Sequence, residues 1–481
     1  MLRRTKIVAT IGPGCDEPEL LERLILAGVN VARLNFSHGN ADDHKRRAQL
    51  VREISQKHGL YVALLGDLQG PKIRIARFKD KKITLTEGSK FTLDSEFDDN
   101  AGTEKVVGID FKELPQFVKA GDTLLLDDGR VQLQVTEVDG HKVHTEVIIG
   151  TQLSDNKGIN KLGGGISAAA LTEKDYEDIK LAAEIGVDYL AVSFPRDERD
   201  MHEAKTLVKA TGSKARLVAK IERAETVSDA KVLDDIILAS DAVMVARGDL
   251  GVEIGDAQLT GVQKQIIKRA RVLNRLVITA TQMMESMIDS PIPTRAEVFD
   301  VANAVLDGSD AVMLSGETAT GSYPVEVVET MSRLIAGAET NKISKTSAHR
   351  VAETFATTDE AIAMSTMYAA NHLDGVKAIL CLTESGATPL WMSRIRTGIP
   401  IYVLTRHEST RNRIALFRGC EAIPYDATLV RRKNVNKLAV QQLYDRGIVK
   451  DGDLVILTKG DQMGIDGGTN AMKILVVGKV A

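Results

Sequence analysis

Lys220 and Glu222 close a run, RLVAKIE (216–222), in which Leu217, Val218, Ala219 and Ile221 are apolar. Side chains along a strand alternate faces, so the ammonium and the carboxylate sit side by side at the end of a core strand. A second carboxylate, Asp249, ends the following strand-like run, AVMVARGD (242–249). Two carboxylates from adjacent strands suit Mg²⁺, which takes one or two protein carboxylates and leaves other positions to water and phosphate. Lys220 beside such an ion offers a point charge to a phosphoryl group in transit. Arg33 and Arg74 add guanidinium forks matched to phosphate or carboxylate. Gly248 and Asp249 open a Gly-Asp-Leu-Gly turn, whose N–H groups can bind a carboxylate as a helix N-terminus does. With the Thr281 hydroxyl, this set points to phosphoryl transfer involving a small acid. The sequence has no Walker A motif and no kinase Gly-rich loop, so a nucleotide must be held some other way.

These residues need elements that converge. Short β-branched strands are predicted over 6–12, 29–36, 60–67, 187–194, 216–222, 242–249, 276–282 and 311–317. Amphipathic helical stretches such as 18–28, 174–186 and 261–274 lie between them. Alternation of this kind argues for a parallel sheet, and eight units suggest a (β/α)₈ (TIM) barrel. An open doubly wound sheet satisfies the same periodicity. The strand ends carry Arg33, Asn35, Ser37 and His38; Asp67; Ser193; Lys220 and Glu222; Arg247 to Asp249; Thr281 and Gln282; and Ser315 to Glu317. In a barrel they would meet on one face.

The rhythm breaks between about 72 and 167, where VQLQVTEV and HKVHTEVI flank Asp139-Gly140 and read as a β-hairpin. This stretch is expected to be an all-β lid domain inserted after the third barrel strand. From about 346 the α/β alternation returns, with strands over 376–383, 399–405, 420–426, 453–459 and 473–480. The expected organisation is a barrel over 1–70 and 168–345, a lid over 71–167 and a C-terminal doubly wound α/β domain over 346–481.

Composition narrows the functional classes. Of 481 residues 43% are hydrophobic and 27% charged, with a net charge of −4, which gives no electrostatic reason to expect a nucleic-acid or anionic-membrane partner. No apolar stretch approaches the length of a membrane span. Three scattered cysteines, Cys15, Cys381 and Cys420, fit a reducing cytoplasm without disulfides or a zinc site.

At this point the chain resembles the pyruvate kinase family. The matching stretches are TIGP (10–13), RLNFSHG (33–39), GDLQGPKIR (66–74), KGIN (157–160), LTEKD (171–175), AKIERAE (219–225), MVARGDLGVE (244–253), ATQMMESM (280–287) and VMLSGETA (312–319). The resemblance implies transfer of the phosphoryl group of phosphoenolpyruvate to ADP, giving pyruvate and ATP, with Mg²⁺ or Mn²⁺ as cofactor. It implies that Lys220 stabilises the transferring group and that Glu222 and Asp249 hold the metal. Gly248, Asp249 and Thr281 would bind the substrate carboxylate, with Thr281 near the proton path to the enolate carbon. Arg33 would contact substrate phosphate. Asn35, Phe36, Ser37, His38, Arg74 and Lys157 match nucleotide-side positions. Asn35, Ser37 and Asp67 match ligands of a monovalent cation. Potassium-dependent members have a Glu where this chain has Lys72 and a Thr where it has Leu68, so Lys72 is expected to replace K⁺. The C-terminal domain resembles the family's regulatory domain. Its loop with Thr383, Ser385 and Thr388 would cradle an effector phosphate, AMP or a sugar phosphate, because Ala387 stands where some relatives place an arginine. A cytoplasmic homotetramer is implied.

Two rival readings remain at this point. Lys220 could form a Schiff base in a different barrel enzyme, which needs a lowered lysine pKa. The chain could also be a metabolite sensor that kept the fold without turnover.

Overall fold

The structure, a computed structural model, describes residues 3–166, 168–345 and 353–479. The remaining residues of the expected domain spans (1–2, 167, 346–352 and 480–481) lie outside the described residues. Eight strands form a closed barrel: β1 (Lys6–Thr10), β2 (Val31–Asn35), β3 (Ala63–Asp67), β4 (Tyr189–Val192), β5 (Arg216–Ile221), β6 (Ala242–Ala246), β7 (Leu276–Ala280) and β8 (Ala311–Leu314). Every neighbouring pair is parallel, and β8 closes on β1. The open-sheet alternative is thereby excluded.

Strand alternation sorts the barrel's side chains into two sets. Val8, Val31, Leu65, Val218, Met244 and Ile278 belong to the interior cluster, and Ala219, Ile221, Val243 and Val245 pack against the outer helices. Lys220 and Glu222 follow Val218 at two-residue steps, so they stand on the inward face at the C-terminal end. Both sets are apolar because a parallel strand covered by helices is buried on both faces.

The strands stop short of their predicted ends. β6 ends at Ala246, and Arg247–Ile254 is helical. The expected Gly-Asp-Leu-Gly turn is therefore the first turn of that helix. β8 likewise ends at Leu314, and Glu317 lies in a four-residue helix, Gly316–Ala319.

Between β3 and β4 the chain forms a six-stranded sheet and a separate strand pair. The predicted hairpin is there, Val131–Asp139 against Lys142–Ile149, with Gly140 turning at φ 56°. The C-terminal sheet contains β9 (Val376–Leu382), β10 (Ile401–Thr405), β11 (Cys420–Pro424), β12 (Leu454–Gly460) and β13 (Thr469–Val476). Its order is β11-β10-β9-β12-β13, and β13 runs antiparallel to β12. The last strand thus starts earlier than predicted and is not part of a doubly wound repeat. The connector from 461 to 468 is too short for a parallel crossover, which needs a dozen or more residues.

Candidate active site

The centre of the site is Lys220. Its Nζ donates to Ser193 Oγ at 2.7 Å and lies 3.0 Å from Glu222 Oε1 and 3.4 Å from Asp67 Oδ1. Ser193 passes the chain on, donating to the Leu68 carbonyl at 2.7 Å. Burial alone would lower the Lys220 pKa, but the Asp67 and Glu222 carboxylates outweigh it and hold the ammonium above the ordinary lysine value. A lysine held this firmly charged is a poor Schiff-base nucleophile, which removes that rival.

Asp67 binds two cations. Its Oδ2 accepts from Arg33 Nε at 2.6 Å, and Arg33 Nη1 donates to Thr10 Oγ1 at 2.9 Å. Burial raises the Asp67 pKa, and Lys220 and Arg33 more than reverse it, so the carboxylate stays ionised. Its Oδ1, close to Lys220, has no well-directed hydrogen bond. The expected monovalent-cation position at Asp67 therefore already faces two fixed positive charges. The other two residues of that set are adjacent, Ser37 N–H donating to Asn35 Oδ1 at 3.2 Å.

Glu222 is 1% exposed. Its Oε2 accepts from Phe194 N–H at 2.8 Å. Burial pushes its pKa up to about 7, against the pull of Lys220 and with added repulsion from Asp249. Such a carboxylate gains from a second cation. Among the described residues no group of three or more His, Cys, Asp or Glu could hold a metal, and Glu222 and Asp249 are two carboxylates near enough to repel each other. That donor set fits Mg²⁺, whose remaining positions go to water and substrate.

Lys72 does not point to solvent. Its Nζ lies 3.1 Å from Asp249 Oδ1, tying the start of the lid to the second carboxylate. It pairs with Asp249, while Asp67 of the Asn35, Ser37 and Asp67 set is paired with Arg33 and Lys220.

Thr281 and Gln282 occupy positive φ, 66° and 55°. For a β-branched residue this is a strained conformation, of order 1–3 kcal/mol, and such strain persists only where the surroundings fix it. Arg247 does so, donating from Nη2 to the Thr281 carbonyl at 2.5 Å and from Nη1 to Asp300 at 2.7 Å. The result aims Thr281 Oγ1 at the helix start, where it accepts from Gly248 N–H at 2.8 Å. Gly248, Asp249 and Thr281 thus line one cleft of about 570 Å³, with lid residues Leu125, Asp128 and Gln132 opposite.

Other expected residues are placed differently. The Phe36 side chain is 2% exposed, edge-on to His44 and against Gly66, so its ring is turned into the core; its carbonyl accepts from Lys174 Nζ at 2.7 Å and its N–H donates to the Asp67 carbonyl at 3.0 Å. His38 is exposed, and burial together with Arg74, Arg33 and Lys72 lowers its pKa. Arg74 donates to the Asn156 carbonyl at 2.9 Å, and Lys157 pairs with Asp127 at 2.7 Å, so both are tied to lid groups. Glu317 spends its oxygens on Ser315 and Met284 N–H groups and is structural.

Sequence reasoning missed Thr10, Phe194 and Arg223. Phe194 sits at φ 54° with its N–H on Glu222. Arg223 donates to the Phe194 carbonyl at 2.9 Å and to the Ile166 carbonyl at 2.7 Å, joining the support of Glu222 to the lid's return segment. The available signal was the arginine that ends the AKIER stretch (219–223).

Comparison with known proteins agrees with this arrangement. Residues 2–328 match the description "Pyruvate kinase, barrel domain" and residues 360–475 match "Pyruvate kinase, alpha/beta domain". This chain belongs to the pyruvate kinase family. It is 59% identical to pyruvate kinase II of Salmonella typhimurium over 476 residues, covering 99% of both chains. It is 58% identical to the pyruvate kinase of Haemophilus influenzae, again over 99% of each. The Geobacillus stearothermophilus pyruvate kinase is 41% identical over 99% of this chain and 81% of its own. The chain is accordingly a phosphotransferase of glycolysis, and the sensor reading loses its basis.

In the C-terminal domain Thr383, Ser385 and Thr388 line one small cavity of about 30 Å³. Thr383 Oγ1 accepts from Gly386 N–H at 3.0 Å, and Thr388 Oγ1 donates to Thr469 at 2.8 Å.

Proposed function

We propose that this site transfers the phosphoryl group of phosphoenolpyruvate to ADP, giving pyruvate and ATP. The observation that carries the reading is the Lys220 ammonium, held between Ser193, Asp67 and Glu222 at the barrel mouth. Lys220 and Arg33 meet the phosphoryl oxygens, whose charge spreads in the transition state. Gly248 N–H, Asp249 and Thr281 seat the substrate carboxylate end, and the Thr281 hydroxyl lies on the path of the proton to the enolate carbon. Mg²⁺ or Mn²⁺ held by Glu222 and Asp249 would neutralise charge on the phosphoryl group and the enolate oxygen. Asn35, Ser37, His38, Arg74 and Lys157 serve the nucleotide side, the last two from the lid. Closure of the lid would keep water from the phosphoryl group.

K⁺ is not required in this reading, because Lys72 and the doubly paired Asp67 supply the fixed charge. A phosphorylated effector, AMP or a sugar phosphate, acts at the Thr383, Ser385 and Thr388 loop. The chain works as a cytoplasmic homotetramer, in keeping with exposed Phe299, Ile292, Tyr368 and Ile474. The domain spans follow the sequence reading, with the lid over 71–167. The test is pyruvate release from phosphoenolpyruvate, ADP and Mg²⁺ in K⁺-free buffer. Turnover there supports both the reaction and the cation argument. Activity only after K⁺ is added would remove the Lys72 argument, and silence in both buffers would remove the reaction.

A further inference from the structure

The turn after β2 carries three of the nucleotide-side residues, Asn35, Ser37 and His38. Within it Phe36 N–H donates to the Asp67 carbonyl at 3.0 Å, Ser37 N–H to Asn35 Oδ1 at 3.2 Å and His38 N–H to the Asn35 carbonyl at 3.2 Å. The carbonyls on either side of Ser37 are held by side chains from two different helices. Lys174, near the start of the helix Glu173–Ile185, donates from Nζ to the Phe36 carbonyl at 2.7 Å. His44, near the start of the helix Ala41–His58, meets the His38 carbonyl with Nε2 at 3.0 Å.

A carbonyl only accepts, so Nε2 of His44 carries the proton. Nδ1 is then the bare acceptor nitrogen, buried with no hydrogen-bond partner among the described residues. The side chain is 3% exposed and edge-on to Phe36, the ring centroids 5.0 Å apart. Burial and Arg47 lower its pKa, so the ring is neutral near pH 7. An apolar residue would fill this space without stranding a buried nitrogen. What the imidazole adds is the bond to the His38 carbonyl.

Lys174 ties the same turn to the lid. The next residue, Asp175, accepts from Gly70 N–H at 3.1 Å, where the chain leaves β3 for the lid, and from Thr172 N–H at 2.8 Å. The first helical turn after the lid therefore holds both the nucleotide-side turn and the lid's entry. Burial, Arg74, Arg33 and Lys72 all lower the His38 pKa, so its ring stands on the side of those cations, away from His44.

We propose that His44 and Lys174 are positioning residues for ADP. By fixing the His38 and Phe36 carbonyls they set the Asn35, Ser37 and His38 side chains before the nucleotide arrives. The proposal rests on the nucleotide-side reading given above. Neither side chain touches substrate; each acts through a backbone carbonyl. Preorganisation of this kind removes part of the ordering cost of binding. Its loss therefore falls on the nucleotide and spares phosphoenolpyruvate, which is seated at Lys220 and Thr281.

Steady-state kinetics and equilibrium dialysis of ADP with Mg²⁺, both on the full chain, test this. His44→Leu is expected to raise the KM and Kd for ADP about tenfold, the scale of one lost buried hydrogen bond, and to leave the KM for phosphoenolpyruvate within about twofold of the parent. His44→Gln, whose amide nitrogen can reach the same carbonyl, is expected to recover most of the ADP affinity. Lys174→Met alters an exposed side chain and is expected to give the same one-sided rise, about threefold, which covers the case in which His44→Leu fails to fold. Equal rises in both KM values, no recovery in His44→Gln, or unchanged ADP affinity in His44→Leu and Lys174→Met would overturn the proposal. Ser37→Ala and Arg74→Met separate it from the reading beneath it. ADP affinity insensitive to both would remove the nucleotide-side reading and this proposal with it. Sensitivity to both, with no response to His44→Leu or Lys174→Met, would remove this proposal alone.

Discussion

Lys220 holds its charge because two carboxylates and a hydroxyl surround it, not because solvent does. Replacing it with methionine keeps the length of the side chain and leaves Asp67 and Glu222 without their shared cation. We expect kcat to fall by about a thousandfold, the scale of losing one preorganised electrostatic contact, with a smaller change in the KM for phosphoenolpyruvate. Steady-state kinetics on the purified variant checks this; a loss in KM alone would place Lys220 in ground-state binding. Glu222 gives a pH prediction. Its pKa of about 7 means that below pH 7 a cation must displace a proton to bind, whereas above it the carboxylate is already free. The apparent Mg²⁺ affinity should therefore fall as pH drops through 7, by up to about tenfold per unit. Mg²⁺ titrations at pH 6 and 8 decide it, and equal affinities would count against Glu222 as a ligand.

At the scale of elements, the lid is attached through residues that also support Glu222 and Asp249. Lys72 on the way in pairs with Asp249, and Arg223 holds the way out at Ile166 while also holding Phe194. Glu253 strengthens the same junction, its carboxylate accepting from Ala224 N–H at 2.8 Å and its carbonyl from Gly163 N–H at 2.8 Å. Arg223→Met should speed amide exchange near Ile166 and Ala168, whose carbonyls it holds, and raise the Mg²⁺ requirement, with Arg223→Lys restoring part of both. Exchange confined to the wild-type rate would mean that the lid is held elsewhere. The strained Thr281–Gln282 corner belongs to this scale too. It depends on Arg247 bonds to the Ala280 and Thr281 carbonyls, so Arg247→Met should release the corner and lower kcat while leaving the barrel folded.

For the molecule as a whole, the barrel interior and the C-terminal domain share one apolar cluster, running from Val218 and Met244 through Tyr189 to Ile379 and Phe417. A buried ion pair crosses the same boundary. Arg394, from the C-terminal domain, meets Asp310 before β8 and donates to the Arg275 carbonyl at 2.7 Å, with both pair members 1% exposed. Removing one member of such a pair strands a charge and costs about 3–5 kcal/mol. Arg394→Met should therefore lower the denaturation midpoint by that scale and weaken the contact between the two parts, measured by urea unfolding followed at the single tryptophan, Trp391. A change under about 1 kcal/mol would show that the Arg394–Asp310 pair does not carry the junction.

The sequence by itself determined the strands, their order along the chain and the site's chemical character. Alternation of apolar residues fixes which face Lys220 and Glu222 share, and this is a local property of a few neighbouring residues. The hairpin around Gly140 and the insertion after β3 were legible for the same reason. Tertiary structure decided the rest. That Lys72 meets Asp249, that Asp67 is spoken for by Arg33 and Lys220, and that the Phe36 ring is buried all depend on side chains brought together from distant strands. The antiparallel β13 was set by a connector too short to cross over. The positive φ of Phe194 and Thr281 has no signature in residue type, because it is imposed by Arg223, Glu222 and Arg247 closing around the backbone. Local pattern is encoded in a short window of sequence, whereas charge pairing and strain are settled only when the barrel closes.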